Sequence, residues 1–481
     1  MHRQRAVIAV ASLLTVGLAS AGLLFSGEEP PQWMVIFTQV ATSEPGWENN
    51  QAEAWRYPSR SRIVALDLRE PDGIVKVLTE DFYSARAPQI SDDGEHVLFA
   101  GQEHEGDFWQ IWEMQRSGSQ ARQVTSGVGE YTDPAYLPGS RIVYSGRSVD
   151  RDTAYALYTS DLDGSDETRI TFHPNSDFGS NTLRDGRIVF ASKASDLTAS
   201  PSKLMIVRSD GTGAHLFYES RPGARHSGQA WETRDGRVVF VESSERDSVG
   251  GKLIAISQNR PLRSRVVLTS GIEGTFHSVF PLPSGKLIVS YLPPGGGSFG
   301  LYEFDPLENR LGPVVSSQPD YHAVEPLLRV TRSQPQGLVS VVDAQQKTGW
   351  FYGLNADLSD LAVTGTARSS ARSATVRVIG IGGVLGEVPL EEDGSFYFEI
   401  PADTPVRLQT VDEEGRVVRG PSAWIWVRPN ERRGCIGCHE DRELAPANRV
   451  PMAIEKPPVY LPSPSSPLSA DAARRSEGND Q

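Results

Sequence analysis

Two cysteines occur in 481 residues, three positions apart and followed at once by a histidine: Gly434-Cys435-Ile436-Gly437-Cys438-His439-Glu440. Cys-x-x-Cys-His is the attachment pattern of c-type haem. Two thiols on one helical turn reach both vinyl groups of a single porphyrin, and the next residue presents its imidazole to the iron. Two cysteines scattered at random fall into this arrangement about once in ten thousand sequences. A structural zinc site would need two more soft ligands, and no further cysteine supplies them. A thioredoxin-like dithiol would follow a strand in a βαβ unit, whereas this pair follows a charged, proline-bearing segment. Cys435 and Cys438 are therefore expected to hold one covalent haem c, with His439 as axial iron ligand.

The other face of the iron is open to several ligands. Met452, within Val450-Pro451-Met452-Ala453, is in reach as a thioether that would raise the potential; simple packing is its plainer reading. A vacant sixth position would permit small-molecule chemistry, and a ligand from elsewhere in the chain or from a partner is the remaining choice. Only 42 residues follow His439, and the proline-rich run Pro462 to Pro467 lies among them. They cannot wrap a porphyrin as an independent helical cytochrome does, so the haem must pack on the rest of this chain or on another subunit.

What precedes the motif is a repeated turn and strand. Ser91-Asp92-Asp93-Gly94 leads into Val97-Leu98-Phe99, Leu137-Pro138-Gly139 into Ile142-Val143-Tyr144, and Arg184-Asp185-Gly186 into Ile188-Val189-Phe190. Arg234-Asp235-Gly236 and Pro283-Ser284-Gly285 open two more units, with steps of 45, 46, 50 and 50 residues from Phe99 to Ser290. Such a period belongs to propeller blades. The glycines supply the positive φ that tight turns demand. The first copy, at Met34-Val35-Ile36-Phe37, lacks its inner strand, carries an insertion from about Thr42 to Ser59, and is expected to borrow Ala323 to Leu328 to close the ring. The fold class predicted is all-β: a six-bladed TolB/WD40-like propeller over 33–332, a small β-sandwich over 333–430, and a haem-attachment segment over 431–460. A seventh blade from Leu338 to Val342 with Trp350 to Leu354 is the lesser reading. Asp393-Gly394 is expected to turn a hairpin inside the sandwich, and 461–481 reads as a disordered tail.

His226, His277 and His322 fall where a blade's innermost strand begins, and Asp133 and Asp177 occupy comparable positions. Innermost strands line a propeller's channel, so these side chains are candidates for a ligand or metal site; capping turns against backbone is the plainer alternative.

The formal charge of -14 argues against nucleic acid as a partner. Arg3 and Arg5 precede an uncharged run from Ala6 to Ser26, with Ala19-Ser20-Ala21 as a cleavage pattern. Residues 1–26 thus read as a signal peptide, or, uncleaved, as a membrane anchor. The expected location is the periplasm or otherwise outside the cytoplasm, where haem is attached covalently in bacteria. No Gly-x-Ser-x-Gly elbow, phosphate loop or His-Glu-x-x-His helix is present.

The order propeller, sandwich, haem motif resembles the hydrazine synthase alpha subunit-like family. Thr348-Gly349-Trp350, Pro389 to Phe398, Ile400 to Pro405, Asp412 to Arg416 and Gly434 to Arg442 carry the likeness, which spans about 34–460. The resemblance implies an exported propeller joined to a c-type haem, with the attachment roles at Cys435, Cys438 and His439. It also marks a departure, since the synthase subunit has a second haem attachment site and this chain has one. The first functional expectation is an exported monohaem c-type cytochrome-like protein, its propeller a scaffold and its haem passing electrons to a redox or scaffold protein partner. The second is a haem enzyme related to the hydrazine synthase alpha subunit, acting on a small nitrogen or oxygen species. The third is a protein-binding propeller with a sensory or structural haem.

Overall fold

The structure, a computed structural model, describes residues 34–44, 57–69, 73–149, 154–194, 202–221, 223–243, 249–330, 332–359, 372–421, 423–436 and 449–462. The leader expected over 1–26, the tip of the first insertion, the haem residues Cys438 and His439, and 463–481 lie outside them.

Among the described residues, six four-stranded antiparallel sheets follow one another along the chain. Blade 1 takes its innermost strand from Tyr321–Leu328; the innermost strands of blades 2 to 6 are Ser84–Ile90, Gly129–Leu137, Ser176–Thr182, Arg225–Glu232 and Thr275–Pro281. Each touches the next, and the last touches the first, so they enclose a channel. The repeated turns read from the sequence each place glycine at positive φ: Gly94 at 76°, Gly139 at 80°, Gly186 at 82°, Gly236 at 82° and Gly285 at 88°. The strands that follow bury their repeating aromatic residue, Phe99, Tyr144, Phe190 and Phe240, at 1% exposure or less.

Closure is the borrowed strand foreseen for Ala323 to Leu328. Val35 pairs with Leu328 and Ile36 with Leu327, and after a bulge Thr38 pairs with Val324. Glu325, at the bulge with φ 55°, turns its carboxylate into the channel. There it accepts Thr38 Oγ1 and the Ala87 amide, each at 2.7 Å, and meets Arg86 at 2.5 Å. Arg86 also faces Asp133 at 3.5 Å, so one guanidinium ties the closing strand to blades 2 and 3.

After the ring, two further four-stranded sheets pack face to face. One is ordered Gly383–Pro389, Thr375–Gly380, Arg407–Val411, Val417–Arg419; the other is Arg432–Cys435, Thr348–Gly353, Phe396–Pro401, Val459–Tyr460. Alternation puts Val376, Val378, Phe396, Phe398 and Ile400 in the shared core, as period-two strands require. Three expectations are corrected. Trp350 to Leu354 forms no seventh blade, because Thr348–Gly353 pairs with Phe396–Pro401 inside the sandwich. Asp393-Gly394 does not close a hairpin: Gly383–Pro389 and Phe396–Pro401 belong to different sheets, and the turn carries the chain across the core. The tail does not begin at 461, since Leu461 is 4% exposed in that core and its amide donates to Glu399 O at 2.9 Å.

The sandwich is fastened to the propeller through the stretch that leads to the cysteine motif. Trp426 is fully buried; its Nε1 donates to Gly211 O at 2.9 Å and its ring packs on Phe172 and His173. Glu431 accepts the amides of Gly213 and Arg428, each at 2.8 Å.

Removing the Glu325 charge leaves Arg86 without its shorter ion pair in a largely buried site, with Asp133 at 3.5 Å the remaining carboxylate. Glu325→Gln is expected to destabilise the fold by about 3–5 kcal/mol in urea unfolding. Burial works to raise the Glu325 pKa, but Arg86, Thr38 and the Ala87 amide together hold it below the ordinary value. Its stabilisation is thus complete above the unfolded carboxyl pKa and is lost as pH falls through the lowered folded value. The variant should lose that part of the acid destabilisation; an acid limb identical to that of the parent would refute this role.

Candidate cofactor-attachment site

Cys435 ends a short strand that enters the sandwich as a parallel edge. Trp350 pairs with Arg432, Tyr352 with Gly434 and Gly353 with Cys435. The chain stays in contact past the thiol, for the Leu354 amide donates to Cys435 O at 2.9 Å and the Asn355 amide to Ile436 O at 3.0 Å. Gly434 is required by close approach: a Cβ there would lie 2.5 Å from the Tyr352 ring. Two cations cover the same strand pair on its two faces, with the guanidinium of Arg432 5.3 Å from the Trp350 ring centroid and that of Arg433 5.7 Å from Phe351. Cys435 is half-buried at this edge.

The limb returning from the motif is held at the same end of the same sheet. Asp393 and Ser395, just before Phe396, receive it: the Met452 amide donates to Asp393 Oδ2 and the Ala453 amide to Ser395 Oγ, each at 3.0 Å. Lys456 Nζ reaches both Glu391 oxygens at 2.7 Å. Burial works to raise the Asp393 pKa, but the Ser395 hydroxyl and amide, the Met452 amide and the Arg449 guanidinium hold it below the ordinary carboxyl range. Gly353 pairs with both Cys435 and Phe396, so the backbones of Cys435 and Phe396 stand two strand spacings apart, about 10 Å.

The surface at this limb suits an apolar group. Val450 is 62%, Ile454 42% and Tyr460 58% exposed, while Met452 is half-buried between them. A half-buried thiol at the sheet edge and the apolar side chains of this limb fit a covalent porphyrin.

The channel candidates separate into two groups. Asp133, His226 and His277 line one cavity, with Arg86 and Glu325. Sequence reasoning missed those last two, because an arginine or glutamate inside a strand carries no signal of its own. His322 and Asp177 do not line it. His322 is buried and its Nδ1 accepts the Phe299 amide at 3.1 Å. Asp177 is buried 3.2 Å from His173 Nε2, where loss of water pushes its pKa well up and that of His173 down to about 3. Burial likewise lowers His226 to about 3 and His277 to about 4, so both imidazoles are neutral near pH 7. Among the described residues, no three His, Cys, Asp or Glu side chains converge closely enough to hold a metal ion.

Residues 340–440 match the family described as hydrazine synthase alpha subunit middle domain. Hydrazine synthase subunit alpha of Kuenenia stuttgartiensis is 24% identical over 542 aligned positions, covering 85% of this chain. The chain spans 66% of that relative's length. The solved hydrazine synthase of the same organism superposes with a TM-score of 0.73 at 23% identity, covering 89% of this chain and 72% of that one. TolB from Acinetobacter baumannii is a looser likeness, at TM-score 0.32, 18% identity and coverage of 48% and 62%. The resemblance read from the sequence to the hydrazine synthase alpha-like family is thereby supported along propeller, sandwich and motif.

Two substitutions test the geometry. Gly434→Ala should destabilise the fold by about 1–3 kcal/mol and speed exchange of the Leu354 amide; adding Tyr352→Ala should restore slow exchange. Asp393→Ala should speed exchange of the Met452 amide and leave that of Leu354 unchanged. Uniform loss of protection in the second variant would show that Asp393 supports the whole sandwich rather than the limb.

Proposed function

Starting from the likeness of this chain to the hydrazine synthase alpha-like family, we propose that it is a haem enzyme acting on a small nitrogen or oxygen species. The observation that carries the proposal is that the matched region, 340–440, contains the cysteine motif and that Cys435 ends a strand built into the sandwich. Cys435 and Cys438 would hold the porphyrin and His439 would ligate the iron. When bound, haem supplies small-ligand binding and one-electron chemistry at the metal. The chain's own part is positional. Cys435 is held by the pairing of its strand with Thr348–Gly353, and the return limb by Asp393 and Ser395. Arg432 and Arg433 place positive charge beside the attachment strand, where it would favour the reduced metal or an anionic bound species. Attachment through two thioethers would fit a chain exported from the cytoplasm, as the apolar leader expected over 1–26 also suggests, and working with a redox or scaffold protein partner.

Electron transfer is the second reading, and Met452 favours it. That residue begins a single 3-10 turn whose first amide is fixed by Asp393, on the limb that follows the motif, from which its thioether would serve as the sixth ligand.

Mass spectrometry of the mature protein should find one added porphyrin on the peptide holding Cys435 and Cys438, absent from Cys435→Ser/Cys438→Ser. The reduced protein should bind carbon monoxide with a shift of its Soret band. A low-spin spectrum indifferent to carbon monoxide, becoming responsive in Met452→Ala, would replace the enzyme by the electron carrier. No added porphyrin would remove both.

A further inference from the structure

A buried base and a buried acid lie under the joint between propeller and sandwich. His173 stands just before the innermost strand of blade 4 and Asp177 within it, each side chain 1% exposed. His173 Nδ1 accepts the Asn175 amide at 3.2 Å, so the ring proton is on Nε2, the nitrogen 3.2 Å from Asp177 Oδ2. Thr171 and Ser192 turn hydroxyls toward the same carboxyl. Trp426, on the sandwich strap, packs on the His173 ring with centroids 5.4 Å apart. That indole is fully buried and donates to Gly211 O, so it covers the pair from the sandwich side.

A pair so placed cannot carry net charge without stripping an ion of its water. The two groups can bind two titrating protons between them, and their net charge is zero only when they hold one. Unfolded, they hold two below about pH 3.9, one between about 3.9 and 6.5, and none above. Burial keeps the proton on the carboxyl, with Asp177 raised and His173 lowered. The raised Asp177 therefore costs stability from about pH 3.9 upward, and the lowered His173 returns it as far as about 6.5. Beyond that nothing offsets the loss, and the closed state weakens about tenfold for each further pH unit. Arg169, on the outer strand of blade 3, is the charged side chain that acts on both groups, favouring ionised Asp177 and neutral His173. Thr171, Phe172, Asn175, Ser192 and Trp426 are uncharged, and behind Phe172 the Arg428 guanidinium is paired with Asp403 at 2.8 Å.

We propose that His173 and Asp177 form a proton-dependent latch on the propeller–sandwich joint, closed while they share one proton and released as alkali removes it. Lifting Trp426 uncovers the pair, so release and opening are one event. The strap runs on through Arg428 and Glu431 to the strand that ends at Cys435. The latch is separate from the cysteine motif and stands whether or not the haem reading does.

Hydrogen exchange in the full-length protein tests this at the Gly213 amide, which donates to Glu431 across the joint. Its protection, corrected for the pH dependence of intrinsic exchange, should be level from about pH 5 to 6.5 and fall about tenfold per unit above. It should also stay below that of the Ala323 amide at the ring seam, because the joint opens before the ring does. Asp177→Asn has no carboxyl proton to lose and should hold Gly213 protection level above pH 6.5. Glu431, raised by burial, also titrates in the joint; an unchanged fall in Asp177→Asn would assign the effect to it and overturn the latch. Protection of Gly213 equal to that of Ala323 would overturn it as well, by making the pair a matter of whole-chain stability. Should Asp177→Asn not fold, ring NMR of the parent decides: the His173 imidazole must keep one state from pH 5 to 8, and a ring titrating near 6.5 removes the proposal.

Discussion

Everything in this chain rests on the seam where Tyr321–Leu328 enters blade 1. A ring of sheets has no stable open form, because an unpaired innermost strand would leave a ladder of amides and carbonyls without partners in the middle of the protein. Pairing with Met34–Ala41 satisfies that ladder, and the bulge at Glu325 turns a carboxylate inward exactly where Arg86 waits. The same guanidinium reaches Asp133, so the electrostatic lock spans three blades. The channel cavity sits directly on this lock, and its floor is the seam itself.

The attachment segment is not an appendage to the sandwich. Arg432–Cys435 and Val459–Tyr460 are the two edge strands of one sheet, both added in parallel to central strands that come much earlier in the chain. The sheet is thus completed by the residues on either side of the motif. Cys435 and Ile436 are held by main-chain hydrogen bonds from Leu354 and Asn355, and the limb at Met452 and Ala453 by the Asp393 and Ser395 side chains. Trp426 and Glu431 then tie the approach to blade 4, so a displacement of the propeller would be felt at Cys435.

Much of this was legible in the residues. The turn glycines, the buried aromatics spaced by a blade, and the alternation at Phe396 to Ile400 announce their own geometry, because φ and burial are local demands. The borrowed strand was legible too, since a first repeat without its inner strand needs one from the end. What failed was what depends on distant partners. Asp393-Gly394 has hairpin chemistry, yet its aspartate serves Ser395 and Met452 while the chain changes sheets. Trp350 to Leu354 has the look of a blade strand, and only its pairing with Phe396–Pro401 shows otherwise. Of the five channel residues, Asp133, His226 and His277 share a cavity, whereas His322 and Asp177 are absorbed by buried neighbours. Arg86 and Glu325 were invisible for the same reason: their importance lies 239 residues apart.

That separation has a kinetic side. Thr38 and Glu325, bonded across the seam, are 287 positions apart, so blade 1 emerges during synthesis long before the strand that finishes it. Until then the growing protein presents a bare edge to every neighbouring chain, and folding is slowed by the long loop that must close. The propeller body must wait for its final strand before its first blade is complete.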